Sequence, residues 1–292
     1  MDYKTSAQKI KLNNFENLFG MSNEESRISE IKEIQLSELH EFNDHPFKVR
    51  NNTKLQELAD SIKDHGVIVP GIARRRSQGG YEIIAGHSRK KACEIAGLHS
   101  MPMFIRNLSD DEAIVIMVDS NIQREDILPS EKAKAYKMKY EALKHQGKKG
   151  NSLNVMSEES GDNKKMIQRF IWLANLSDDL LEFIDNKKLG FTQGVNISFL
   201  SPNEQAWIFS VISKTKPSVS IKQSESIKKL SQERGLTEAK VWEILSVDLE
   251  KKKNRKITIK TDIIDKYFDD NCTEADIENI IMMLLDQWKS EQ

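Results

Sequence analysis

Tyr81-Glu82-Ile83-Ile84-Ala85-Gly86-His87-Ser88-Arg89-Lys90-Lys91-Ala92 is the stretch on which both fold and site turn. Residues 81–85 have strand character, and a helix is expected over 88–96, closed by Gly97. Gly86 between them lets the chain turn tightly and lets an anion approach the backbone. The first N–H groups of a helix have no acceptor within it, and the helix dipole favours negative charge there. Arg89, Lys90 and Lys91 add three cations to that first turn. Cations are unfavourable at a helix start unless an anion compensates them. Two readings stay open on this stretch alone: a phosphate grip, or a basic helix start facing water.

Working outward, 31–34 reads as a short strand. Thr53 opens a helix with Gln56 as a capping-box partner, Leu55, Leu58, Ala59 and Ile62 as its apolar stripe, and Gly66 as its stop. Residues 67–73 read as a strand joined to 81–85 through Gln78-Gly79-Gly80. Another strand is expected over 101–105, and Ser109 with Glu112 signals a capped helix to about Asn121. Residues 31–128 thus read as a small mixed α/β domain. At its end lies Asp119-Ser120-Asn121-Ile122-Gln123-Arg124-Glu125-Asp126, whose amide, guanidinium and carboxylate groups suit either a metal–phosphate site or a plain polar loop.

From Pro129 the pattern is helical. Ser130 is expected to cap a long helix to about His145, followed by a basic turn over 147–151. Two short helices, 152–160 and 163–173, flank Gly161 with helix-turn-helix proportions. Met156 and Ser157 supply the apolar and small residues before the turn, and Ile167, Phe170 and Ile171 the buried face of the second helix. Lys164, Lys165, Gln168 and Arg169 fall on its polar side, and such a helix suits a major groove. An ordinary hairpin with a wet basic face is the alternative. The region from Lys132 to Trp172 holds ten basic and four acidic residues, a local charge of +6, against a net charge of -1 for the chain. Nucleic-acid contact is therefore expected from a patch that includes Lys148 and Lys149. Further helices are expected over 178–186, 202–213, 221–233 and 237–245, then a basic linker over 251–256. A strand through Ile257 and Ile259 and two helices, the last capped by Thr273 with Asp276, complete the chain.

Taken together and in order, these segments resemble the ParB family of partition proteins, in the style found on mobile elements of Gram-positive bacteria. The motif Gly86-His87-Ser88-Arg89-Lys90-Lys91-Ala92 is similar to the family's first signature, and Ser120-Asn121-Ile122-Gln123-Arg124-Glu125-Asp126 with Pro129, Glu131 and Ala133 to its second. The resemblance covers roughly residues 31–200. It implies an α+β protein, with a ParB-type N-terminal domain followed by a mostly helical region carrying a helix-turn-helix. It implies sequence-specific binding of double-stranded DNA, and CTP with magnesium closing a homodimeric clamp. By position, Gly86, His87, Ser88, Arg89, Lys90, Lys91, Asn121, Gln123 and Arg124 would hold the nucleotide, with Asn121 helping to hold the metal. Two departures matter. His87 stands where the family has an acid, and Ser120 where it has the glutamate used in hydrolysis. A serine is no general base without a helper, so binding is expected more readily than turnover. An occlusion or transcriptional regulator without turnover, and a ParB-fold nuclease or phosphotransferase, are the competing functions.

The expected division is a flexible arm over 1–30, the nucleotide domain over 31–128, a DNA-binding domain over 129–215, a helical extension over 216–250 and a C-terminal piece over 251–292. The arm has an amphipathic segment over 12–19, read as part of a disordered arm or as a peptide for a partner such as a ParA-type ATPase, rather than as a membrane anchor. The apolar stripe of Ile277, Ile280, Ile281, Leu284 and Leu285 suits a core helix or a dimer interface. Two distant cysteines, Cys93 and Cys272, and six scattered histidines suggest neither a disulfide framework nor a metal cluster. A cytoplasmic, nucleoid- or plasmid-associated protein is expected.

Overall fold

The computed structural model describes residues 30–124, 126–147, 152–215, 218–251, 264, 266–269 and 272–290. The segment 12–19, Lys148, Lys149, the basic residues 252–256 and the strand expected at Ile257 and Ile259 lie outside the described residues. The chain divides into two compact units, with the break after Leu245.

In the first unit a five-stranded mixed sheet is built from β1 (Glu30–Gln35), β2 (Leu39–His40), β3 (Gly71–Arg75), β4 (Tyr81–Ala85) and β5 (Ser100–Ile105), in the order β1-β5-β3-β4-β2. β1 pairs with β5, and β3 with β4, antiparallel. β3 pairs with β5, and β2 with β4, in parallel. Period-two alternation sends neighbouring side chains to opposite faces. Ala73 and Ile83 enter the core beneath α1 (Thr53–His65) and α2 (His87–Ile95). Ile72 and Ile84 enter the core shared with α3 (Asp110–Asp119) and α4 (Pro129–His145).

Met156, Ile167 and Ile171 complete that second core. They come from α5 (Ser152–Ser160) and α6 (Lys164–Leu173), so the two short helices are packed against the sheet domain's own helices. A third core joins α6 with α7 (Asp178–Asp185), α8 (Phe191–Ile197), α9 (Pro202–Thr215), α10 (Ile221–Gln232) and α11 (Glu238–Lys251) as far as Leu245. The architecture is α+β, a mixed N-terminal domain followed by a mostly helical region, as the sequence suggested. In the second unit α12 (Glu274–Ser290) has no buried side chain, and Met282, Met283, Leu284, Leu285 and Trp288 are exposed. Among the described residues no helix is long and apolar enough to cross a membrane.

Several local expectations are corrected. Residues 67–70 are not strand. Ile68 is 79% exposed, Pro70 lacks an N–H for a ladder, and the carbonyls of Val69 and Pro70 accept hydrogen bonds from Arg89 instead. Asn52, not Thr53, caps α1, its side chain accepting from the Leu55 N–H at 3.1 Å. Ser130 does not cap α4. Leu128 stands at that position with Pro129 first in the helix, and Ser130 donates from its backbone and hydroxyl to Asp185. The capping box of Ser109 with Glu112 is present, and Thr273 and Asp276 are bonded as expected. α8 was not anticipated, because Gly194 interrupts its apolar pattern. A Cβ there would stand 2.4 Å from Ile184 Cδ1 and 2.9 Å from Leu173 Cδ1, so close helix packing selects glycine. α11 runs on to Lys251, past the stop expected at Leu245.

Candidate functional site

β4 delivers the chain into Gly86, which adopts φ +119° and caps α2. A Cβ at this position would lie 3.2 Å from Gly71 Cα, so both the backbone angle and the close approach favour glycine. The N–H groups of His87, Ser88 and Arg89 fall in the first turn, without acceptors inside the helix. They border a cleft of about 260 Å³. Gly86, His87, Ser88, Arg89, Asn121 and Arg124 all line it, so the first and second motifs meet across one cavity. Lys90, Lys91 and Gln123 do not line it. Lys90 donates to the Leu39 carbonyl at 2.7 Å, Lys91 pairs with Glu94 at 2.9 Å, and Gln123 reaches the Glu159 carbonyl at 3.5 Å.

The charge around the cleft is one-sided. Arg89 donates to the carbonyls of Val69 and Pro70 at 2.5 and 2.6 Å, and among the described residues no carboxylate pairs with it. Burial holds its guanidinium below the usual arginine range, since a desolvated cation without a counter-charge is costly. No carboxylate among the described residues lines the cleft either. A half-buried cation without a carboxylate partner and the free amides of a helix N-terminus together form an environment that an anion would stabilise. Arg124 adds a second guanidinium, contacting Asn121 Oδ1 at 3.4 Å and Asp126 Oδ1 at 3.5 Å.

His45, Phe47 and Val49 supply the opposite wall from the loop between β2 and α1. The loop was not singled out in the sequence, where its only signal is length without periodicity, a feature of functional loops. The histidines are also not all scattered: the rings of His45 and His87 lie 4.0 Å apart between centroids. Burial, His45 and Lys90 together depress the His87 pKa to about 3, and burial likewise lowers that of His45. Both rings are neutral at physiological pH. A second cleft of about 320 Å³ shares Ser88 and Arg124 with the first and adds Arg50 and Lys54. Arg50 is held in place by Glu131 at 2.8 Å.

A magnesium ion needs oxygen ligands. Asn121 Oδ1, Ser120 Oγ and Ser88 Oγ are the side-chain oxygens on the residues that line this cleft, and no cluster of three His, Cys, Asp or Glu suited to a metal occurs among the described residues. The residues fit an ion carried mainly by phosphate oxygens, with Asn121 as one protein ligand. Asp119 faces away from the cleft and pairs with Lys139, which also bonds Glu159 of α5. It therefore offers Ser120 no help as a base.

In the two-helix unit, Asn163 caps α6 by accepting from the Met166 N–H at 2.9 Å. The turn is fixed from α4, because Tyr136 and Lys132 both reach Asp162, at 2.5 and 2.6 Å. Lys164 and Lys165 are exposed and Gln168 is half-buried. Arg169 is turned inward, donating to Thr192 Oγ1 at 2.7 Å and stacking 4.9 Å from the Phe191 ring centroid. Much of the local positive charge is spent internally: Lys132 on Asp162, Lys134 on Asp178, and Lys139 on Asp119 and Glu159. Exposed Lys164 and Lys165 are what α6 presents outward.

The cleft thus lies between a glycine-started helix and an amide-bearing turn, and a packed pair of short helices follows it. Residues 20–122 match the model of the ParB N-terminal domain family. The chain is similar to the probable chromosome-partitioning protein ParB of Vibrio cholerae, 29% identical over 82% of this chain and 80% of that one. It is also similar to the nucleoid occlusion protein of Listeria monocytogenes, 28% identical over 62% of each chain. Among solved structures, it resembles the C-terminally truncated chromosome-partitioning protein ParB of Caulobacter crescentus. The form complexed to the centromeric parS site is 20% identical with a TM-score of 0.41, over 69% of this chain and 99% of that one. The form complexed with CTP-gamma-S is 23% identical with a TM-score of 0.31, over 64% and 98%.

Proposed function

We propose that this chain is a CTP-binding, sequence-specific DNA-binding protein of DNA partition, acting as a dimeric clamp in the cytoplasm on nucleoid or plasmid DNA. The observation that carries the reading is the half-buried Arg89, without a carboxylate partner among the described residues, beside the amides of His87 and Ser88 in one cleft with Asn121 and Arg124. Such a site suits an anion, and the resemblance to ParB proteins makes a nucleoside triphosphate, CTP, the ligand of this reading. Gly86 gives the phosphates room, Arg89 and Arg124 supply charge, and Asn121 contributes one oxygen to a magnesium ion riding on the phosphates. Lys90 and Lys91 act from outside the cleft, through the field at the helix start. Gln123 serves by holding the turn against α5.

α6 is the DNA reader, with Lys164 and Lys165 on phosphates and Gln168 on base edges. Arg169 orients the helix through Thr192. Lys148 and Lys149 add two cations for phosphate contact. α12, with its exposed apolar residues, suits pairing with a second copy. The arm over 1–30 is the segment for a ParA-type ATPase.

The test is equilibrium binding of CTP, ATP and GTP to the full chain, with and without a duplex selected from a random pool. CTP binding that is lost in Arg89→Ala supports the reading. Equal binding of all three nucleotides, or none, refutes it. Ser120 favours binding over turnover. A second reading, an occlusion regulator, is favoured by the similarity to the Listeria protein. CTP-dependent crosslinking of a dimer around closed DNA distinguishes a clamp from a regulator that makes no use of nucleotide.

A further inference from the structure

The cleft contains one feature that phosphate binding leaves unexplained. His45 Nε2 and His87 Nε2 are both buried with no hydrogen-bond partner, and both residues line the same cavity. An unpaired buried polar atom is costly, and a ligand is one explanation for it. For His45 the chemistry of that atom can be assigned. Its Nδ1 lies 2.7 Å from the Phe47 carbonyl oxygen, which only accepts, so Nδ1 carries the proton. Burial keeps the ring neutral, which leaves Nε2 as a bare acceptor. An acceptor does not suit phosphate oxygens, which are acceptors themselves. It suits a donor, and Phe47 and Val49 beside it form an apolar wall of the kind that packs on a base or sugar.

We propose that His45 is a specificity-determining residue for the nucleotide, its Nε2 accepting a hydrogen bond from a donor on the nucleoside part of the ligand. The inference rests on the nucleotide reading above. The donor is either an exocyclic base amine or a ribose hydroxyl. The cavity then has two ends: a cationic end at Arg89 for phosphates, and a neutral acceptor end at His45 for the nucleoside.

The experiment measures binding of CTP, UTP, 2′-deoxy-CTP and 3′-deoxy-CTP to the full chain and to His45→Phe. UTP replaces the amine with a carbonyl, and the deoxy analogues each remove one hydroxyl. The wild-type protein is expected to prefer CTP by roughly tenfold over the analogue lacking the relevant donor, the value of one good hydrogen bond. In His45→Phe that preference falls to within about twofold, because the acceptor has gone and the partner group no longer matters. His45→Gln, which retains an acceptor, recovers part of it. If His45→Phe melts early, His45→Gln against His45→Met gives the same comparison, since the two are alike in length and differ in the acceptor. A wild-type preference that survives in both His45→Phe and His45→Met overturns the proposal, as does a wild-type protein indifferent to all three analogues. Failure to bind any nucleotide overturns the nucleotide reading itself, a result distinct from either.

Discussion

At Gly86 the backbone takes φ +119°, and a Cβ added there would stand 3.2 Å from Gly71 Cα. Gly86→Ala is expected to lose about 1–3 kcal/mol of stability from backbone strain and to abolish nucleotide binding. Urea denaturation and CTP titration check the two effects separately. His87 makes a pH prediction. Its pKa is about 3 when folded and near 6.5 when unfolded, so the unfolded chain binds the extra proton between those values. The contribution of His87 to stability is therefore complete above pH 6.5 and is lost as pH falls towards 3. Over that window the wild-type protein should lose up to about 1.4 kcal/mol per pH unit more than His87→Gln. Superimposable stability profiles for the two would show that His87 is not held neutral. Gly86 and Arg89 are legible in the sequence as residues of one site and do line one cleft, whereas Lys90 and Lys91, equally prominent in the sequence, do not. The His45 partnership is not legible, since a contact between residues 42 positions apart in number leaves no local periodicity.

Among the elements, α4 ties the turn beside the cleft to the two short helices. Lys139 of α4 is 2% exposed and joins Asp119, next to the cleft turn, with Glu159 of α5. Burial raises the Asp119 carboxyl and Lys139 draws it back down, so the pair stands or falls together. Lys139→Ala leaves two carboxylates facing each other without a cation. It should cost about 3 kcal/mol, at the low end for a buried pair because Glu159 is half exposed. Lys139→Met, which keeps the apolar stem, should cost less, and chemical denaturation of both variants tests this. On α6, Lys164→Ala should weaken all DNA alike and reduce the salt slope of binding by about one. Gln168→Ala should relax sequence choice, measured by competition between selected and random duplexes. Arg169→Ala should also lower the melting temperature, through Thr192 and Phe191. Helix positions were readable from apolar spacing, including α5 and α6 on either side of Gly161. The charge count was a poorer guide, because a lysine's number in the sequence does not say whether an aspartate already holds it.

For the whole molecule, the two units make separate predictions. Ending the chain after Leu245 removes α12, whose apolar residues are exposed. Sedimentation should then show a monomer that binds its DNA site more weakly, while CTP binding persists. An unchanged dimer would place pairing elsewhere. The α+β order of domains was legible because strand alternation gives way to helical spacing at Pro129. The sharing of one core by the sheet domain and α5–α6 was not legible, since Met156 and Ile167 meet Ile72 and Ile84 only in three dimensions. The most direct test of the account selects duplexes from a random pool with the full chain, then titrates CTP, ATP and GTP against the protein with and without the winner. The account predicts one enriched sequence and nucleotide binding that is selective for CTP and lost in Arg89→Ala. No enriched sequence, or CTP binding unaffected by Arg89→Ala, would contradict it.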